Sequence, residues 1–215
     1  MTDRTILIIG ASRGIGRHAV DHAIERGCSV RAMARSADDI GLEHERLEKF
    51  AGDATDSADV RDALDDVDAV ILALGLSPGL AKRRSKVTLF SRATEILVGE
   101  MASRGPRRLV VVTGYGAGES RKSMSRIEGL GHRLLLGGAY DDKDIQERIV
   151  ENSSLDWTIV RPTILTNGPA TGRFEVLETA DAWRNGLISR RDVAEFLIAC
   201  ALDGVYLHQA PVLAY

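Results

Sequence analysis

Residues 5–16 read Thr5-Ile6-Leu7-Ile8-Ile9-Gly10-Ala11-Ser12-Arg13-Gly14-Ile15-Gly16. A continuous apolar run of this kind suits a strand buried on both faces of a parallel sheet. An amphipathic helix is expected directly behind it. Between strand and helix, the three glycines do different things. Gly10 permits the tight turn out of the strand, Gly14 admits a close backbone approach, and Gly16 lets the helix pack on the sheet. The free N–H groups and positive dipole end at such a helix start form an anion site. Strand before, helix after and first place in the chain make this the expected pyrophosphate turn of a dinucleotide, with Ser12, Arg13 and Ile15 contributing beside the glycines.

Outward from this turn, strands and helices alternate. Strands are expected at Thr5–Ile9, Ser29–Met33, Leu47–Ala51, Ala69–Leu74, Arg108–Thr113, Thr158–Arg161 and Val205–Leu213. Helices are expected at Gly14–Arg26, Ser57–Leu64, Val87–Arg104, Asp141–Asn152 and Arg190–Leu202, with Ser57 and Ser189 as N-caps and Gly27 and Gly105 as left-handed C-caps. This alternation predicts an α/β fold: a doubly wound, mostly parallel sheet of the Rossmann type, with helices on both faces and a small C-terminal substrate lobe. The whole chain, 1–215, reads as one domain. Two stretches, Gly114–Ala139 and Thr163–Gly186, interrupt the alternation after strand ends, where open α/β sheets bind ligands. Both are expected to be substrate-lid segments, the first offering Arg121, Lys122, Arg126 and Arg133 to an anionic substrate.

The choice of dinucleotide is made near the end of the second strand. An acid there accepts from the ribose 2′-OH and selects NAD. This sequence has Met33-Ala34-Arg35 instead, and Arg35 is placed to pair with a 2′-phosphate, with Arg13 assisting. NADP(H) is therefore the expected cofactor. Asp53 and Ala54 follow the third strand and are expected to flank the adenine. Leu74 and Gly75 end the fourth, where a small residue lets the backbone pass the ribose.

Composition narrows the classes. A chain of 215 residues is long enough to bury a core, and its 28 basic and 31 acidic residues nearly balance. That balance excludes a basic stripe for nucleic acid or a polybasic membrane patch. Apolar runs fall short of a membrane span. Residues 6–9 are too short for a secretory core, so no targeting segment and a cytoplasmic location are expected. Cys28 and Cys200 read as reduced thiols, and the histidines form no metal-ligand pattern.

Together these residues resemble the short-chain dehydrogenase/reductase superfamily. Three further stretches resemble its atypical NAD(P)H-binding group, which includes NmrA-like regulators and biliverdin IXβ/flavin reductases. They are Thr113-Gly114-Tyr115-Gly116-Ala117-Gly118; Asp142 to Glu147 with Ser154 to Pro162; and Ile188-Ser189-Arg190-Arg191-Asp192-Val193-Ala194. The turn departs from that group, which spaces its glycines by three; here Arg13 precedes Gly14.

The resemblance implies a Ser–Tyr–Lys site in which a tyrosine protonates the substrate and a lysine holds the nicotinamide ribose. Thr113 stands for the serine, and Tyr140 and Lys143 for the pair, three residues apart instead of four. Pro162, Thr163 and Ile164 are expected to wall the nicotinamide through backbone contacts, with the proton coming from Tyr140, Tyr115 or water. The implied activity is NADPH-dependent reduction of a small organic acceptor: a flavin, a quinone or a carbonyl compound. Two other readings stay open, a non-catalytic NADP(H) sensor that binds a protein partner and an NAD-dependent sugar epimerase or dehydratase. A monomer and a homodimer are both compatible with the sequence.

Overall fold

The computed structural model describes residues 4–76, 87–124 and 126–215, the side chains of residues 126–137 excepted. Five parallel pairings join β3 (Leu47–Ala51), β2 (Ser29–Ala34), β1 (Thr5–Ile9), β4 (Ala69–Leu72), β5 (Arg108–Val112) and β6 (Asp156–Pro162) in that spatial order. The sheet continues with β10 (Val212–Ala214), parallel to β6, and ends on β8 (Glu175–Leu177), antiparallel to β10. Strand order reverses between β1 and β4, and such a reversal opens a crevice at the carboxyl ends of the strands.

Alternation along β1 explains the layering. Ile6 and Ile8 face one core with Ala19, Val20 and Ala23 of α1 (Gly14–Glu25) and Val193, Leu197 and Cys200 of α5 (Arg190–Asp203). Leu7 and Ile9 face the other, with Val60 of α2 (Ser57–Ala63), Leu97 and Met101 of α3 (Leu89–Arg104) and Val150 of α4 (Arg126–Glu151). With both faces covered, the strand interiors must be apolar, as in β4 and in β1 and β5 after their first residues, Thr5 and Arg108.

Several boundaries differ from expectation. Helix α4 starts at Arg126 rather than Asp141, so much of the expected first lid is helix. The side chains of Arg126 and Arg133 lie outside those described. Asp56 caps α2 in place of Ser57, accepting from the N–H groups of Ala58 and Asp59. Ser189 caps α5 as expected, and Gly27 is left-handed after α1, but Gly105 is extended. Asp142 of α4 caps the start of α3 across the helix pair, accepting from Phe90 and Ser91.

The second expected lid contains β7 (Ile164–Thr166) and β8, and β9 (Leu187–Ser189) follows it; β7 and β9 pair in parallel as a separate two-stranded sheet. The final strand begins at Val212, not Val205, because Tyr206 and His208 adopt left-handed backbone that breaks an extended run. Among the described residues, no helix is long and apolar enough to cross a membrane.

Candidate functional site

The crevice between β1 and β4 holds the glycine turn. Gly10 has φ of +90°, and a Cβ there would lie 2.6 Å from the Ala73 carbonyl oxygen at the end of β4. A Cβ on Gly16 would overlap the Gly10 carbonyl, so α1 can approach the strand only through glycine. Gly14, with φ of +61°, faces open space on its Cβ side except for the Arg190 side chain. The start of α1 has no side-chain cap and no acid in its first turn. An uncapped cationic helix end beside bare backbone fits a pyrophosphate. Ser12 is half-buried, Ile15 is buried and Arg13 is exposed.

Arg35 is exposed directly after β2, and no acid stands beside it at Met33 or Ala34. Its charge reaches Asp53. Hydrogen bonds from Thr55, through its N–H and then its hydroxyl, hold the Asp53 carboxyl below its ordinary range, and Arg35 and Arg92 add to this. Ala54 is buried beneath, and Leu74 and Gly75 border the same crevice after β4.

Across the crevice, α4 presents Tyr140, Lys143 and Glu147 to the end of β5. Spacings of three and four place all three on one helical face. Tyr140 lies inside the helix, so its hydroxyl is fixed against Gly114, where a Cβ would come within 2.6 Å of it. Lys143 donates from Nζ to the Thr113 carbonyl at 2.6 Å and lies 4.5 Å from the Phe90 ring centroid. Burial pulls its ammonium down from 10.5 to about 8, while Glu147 and Asp142 oppose that pull. Burial, and after it Glu147, holds the Tyr140 phenol above its ordinary value.

Glu147 has a stronger partner than Lys143. Its carboxylate accepts from Arg161 Nε at 3.0 Å and Nη2 at 2.7 Å, and the Thr113 hydroxyl donates to it at 2.6 Å. Both charged residues are buried, at 1% and 2% exposure for Arg161 and Glu147. Gly118 makes room for them, because a Cβ there would overlap the carboxylate. The ring of Trp183 covers the guanidinium at 5.1 Å.

This network changes the expected role of Thr113. The Thr113 hydroxyl is committed to donating to Glu147, so the residue offers its carbonyl to Lys143 rather than a serine-like hydroxyl to a substrate. Tyr115 is buried in a small core with Leu177 and Val212. The N–H groups of Thr163 and Ile164 are bonded to the carbonyls of Leu213 and Gly186, so these two donors are taken, and the Pro162 carbonyl accepts from the Tyr115 N–H. What this corner does expose is apolar: Ile164 and Leu187, opposite each other on β7 and β9, are 57% and 51% exposed. Arg121, expected to attract an anion, is paired with Asp141 and Asp144.

Glu147, Arg161 and Arg190 were not expected as site residues from the sequence, although all three lie inside the stretches that carry its family resemblance. Arg190 opens α5, donates to Asn167 Oδ1 at 2.8 Å and passes beside Gly14.

Fold and crevice together define a dinucleotide-binding α/β protein. A family model described as NAD(P)H-binding matches residues 10–204, and the chain belongs to that family. An uncharacterised chloroplastic protein of Arabidopsis thaliana is 28% identical over 208 residues, covering 93% of this chain and 72% of its own. Among solved structures, an anaerobilin reductase of Escherichia coli superposes with a TM-score of 0.80 at 24% identity, over 98% of this chain and 96% of that one. A short-chain dehydrogenase/reductase of Veillonella parvula, solved with NADP, gives 0.82 at 16% identity, over 99% and 94%. At these identities the structural likeness is one of fold.

Proposed function

We propose that this protein is an NADPH-dependent reductase of a small, largely apolar organic acceptor such as a flavin, a quinone or a carbonyl compound. The observation that carries the reading is Lys143: a buried ammonium held on the Thr113 carbonyl, one helical turn from the Tyr140 hydroxyl, at the edge of a crevice built for a dinucleotide. Burying a cation is unfavourable, and a site that maintains one usually uses it. The E. coli neighbour named as an anaerobilin reductase is consistent with this reading.

The cofactor, when bound, supplies the hydride. The chain's own residues supply position and a proton. Gly10, Gly14, Gly16 and the start of α1 take the pyrophosphate, and Ser12, Arg13 and Ile15 line the same turn. Asp53 and Ala54 flank the adenine, Leu74 and Gly75 pass the ribose, and Lys143 holds the nicotinamide ribose or the substrate. Tyr140, kept protonated by burial, donates from its hydroxyl to the reduced acceptor. Ile164 and Leu187 offer an apolar shelf past the end of β6, where ring stacking needs proximity more than a dedicated acid.

Arg35, exposed directly after β2, supports the phosphate form. Arg35→Ala is expected to weaken NADPH binding by about 1.5–3 kcal/mol, the scale of a hydrogen bond to a charged group, and to spare NADH. Calorimetric titration with each dinucleotide checks this, and an equal loss for both would remove Arg35 from the 2′-phosphate.

A second reading, the non-catalytic NADP(H) sensor, is favoured by the Thr113 hydroxyl, whose donation to Glu147 leaves the site without a serine-like donor. One experiment divides the two. The wild-type protein is titrated with NADPH and NADP⁺ and then mixed with NADPH and a panel of flavins, quinones and carbonyl compounds. Preference for NADPH with acceptor-dependent oxidation supports the reductase. Preference for NADP⁺ with no turnover supports the sensor.

A further inference from the structure

We propose that Arg190 is a ligand of the dinucleotide's pyrophosphate, reaching the glycine turn from the start of the neighbouring helix α5. The inference deepens the dinucleotide reading and rests on it. Arg190 is the first residue of α5, within the Ile188–Ala194 stretch that the mechanism leaves without a role.

The neighbours of Arg190 point its charge toward the turn. Behind it, the start of α5 is already satisfied: Ser189 caps the helix, and the Asp192 carboxylate accepts from Thr171, Gly172, Ser189 and the Tyr215 hydroxyl. Asp192 is therefore committed to the segment after β7 and to Tyr215. The Arg190 side chain runs the other way, and its Cδ and Nε lie 4.0 Å from where a Cβ on Gly14 would stand. Apart from Gly14's chain neighbours and its own helical turn, no other atoms of the described residues come within 4 Å of that position.

Electrostatics makes this arrangement telling. The start of α1 carries the positive end of a helix dipole, has no acid in its first turn and has an exposed arginine, Arg13, at its N-cap. Bringing a guanidinium beside it sets positive against positive. Among the described residues the guanidinium has only the neutral Asn167 amide oxygen as a hydrogen-bond partner, at 2.8 Å, and no ion pair. Such a juxtaposition is unfavourable unless an anion lies between. The planar fork of an arginine matches two phosphate oxygens, and donors beyond the one used by Asn167 remain for them. Arg190 is half-buried, so the contact would be only partly screened by water.

The location separates this residue from Arg35. Arg35 sits after β2, where the adenosine ribose is expected, and Arg190 sits at the glycine turn, where the two linked phosphates are expected. Arg190 should therefore ignore the 2′-phosphate and feel only the pyrophosphate.

The test is calorimetric titration of wild type, Arg190→Ala, Arg190→Gln and Asn167→Ala with NADPH, NADH and adenosine 2′-monophosphate. Thermal melts of the unliganded variants check folding, and the glutamine variant serves if the alanine one does not fold. Both Arg190 variants should bind NADPH and NADH more weakly by the same factor, about 10- to 100-fold. Their affinity for adenosine 2′-monophosphate, which lacks the pyrophosphate, should match wild type. Asn167→Ala should retain dinucleotide affinity, because the guanidinium survives. Unchanged dinucleotide binding in the Arg190 variants overturns the proposal. So does a parallel loss for the monophosphate, or a loss in Asn167→Ala as large as in Arg190→Ala, which would trace the effect to the segment around Asn167. Failure of wild type to bind either dinucleotide removes the underlying reading and this inference with it.

Discussion

Glu147→Ala should lower the free energy of unfolding by about 3–5 kcal/mol, the range for removing one partner of a buried ion pair. Arg161 would keep its charge in a nearly dry site with the Ala210 carbonyl as its remaining hydrogen-bond partner, and the Thr113 hydroxyl would lose its acceptor. For a chain of this size the loss corresponds to about 6–20 °C in melting temperature. Urea and thermal melts read it directly. A double replacement, Glu147→Met with Arg161→Met, should recover much of the loss, because no uncompensated charge is then left behind. A single-variant loss below about 1 kcal/mol would mean that the pair opens readily to water. The same substitution reaches the site, since Glu147 fixes the helical face that carries Tyr140 and Lys143.

Lys143→Met should reduce turnover by about 100-fold or more at saturating cofactor, the scale of losing a positioned acid–base or charge-stabilising group. The pH profile identifies the cause. Burial lowers the wild-type ammonium to about 8, so the charge is present below that pH and is lost as pH rises through it. Wild-type turnover should therefore fall above about pH 8, and the methionine variant should lack that limb. Tyr140, held above its ordinary value, does not titrate in the same range. The linkage to folding has the opposite sign. Between about 8 and 10.5 the unfolded chain binds the lysine proton and the folded chain does not, so the Lys143 contribution to stability rises with pH. A shared alkaline limb in wild type and variant would assign it to another group.

The sheet and the dinucleotide turn were legible because their signals are local. Ile6 to Gly16 carries the buried strand, the tight turn and the close helix in a single stretch, and continuous apolar runs mark β4 and β5. The start of α4 was hidden by Gly129, Gly131, Gly137 and Gly138, each of which lowers helix propensity by about 1 kcal/mol against alanine. Strands β7, β8 and β9 have three residues each, too few for a period to show, and they exist through their pairing partners. The candidate site divides in the same way. Lys143 and Tyr140 were suggested by the family resemblance, and the direction of their side chains came only with the fold. The Glu147–Arg161 pair has no local signature. Neither residue's neighbours in sequence announce that a carboxylate and a guanidinium will share a dry pocket under a glycine, and the diversion of the Thr113 hydroxyl follows only from that meeting.

The placement of Trp183 over Arg161 gives the molecule a built-in optical reporter. The chain has two tryptophans, and they occupy unlike surroundings. Trp157 is buried in the strand core, edge-on to His208, and its emission will follow loss of the whole fold. Trp183 is half-buried in the segment before β9, tethered through its indole N–H to the Leu177 carbonyl and stacked on a cation. Its fluorescence will change when that segment lifts, before the core is disturbed. With Trp157→Phe as the background, movement of the segment before β9 can be timed separately from unfolding, without attaching a dye.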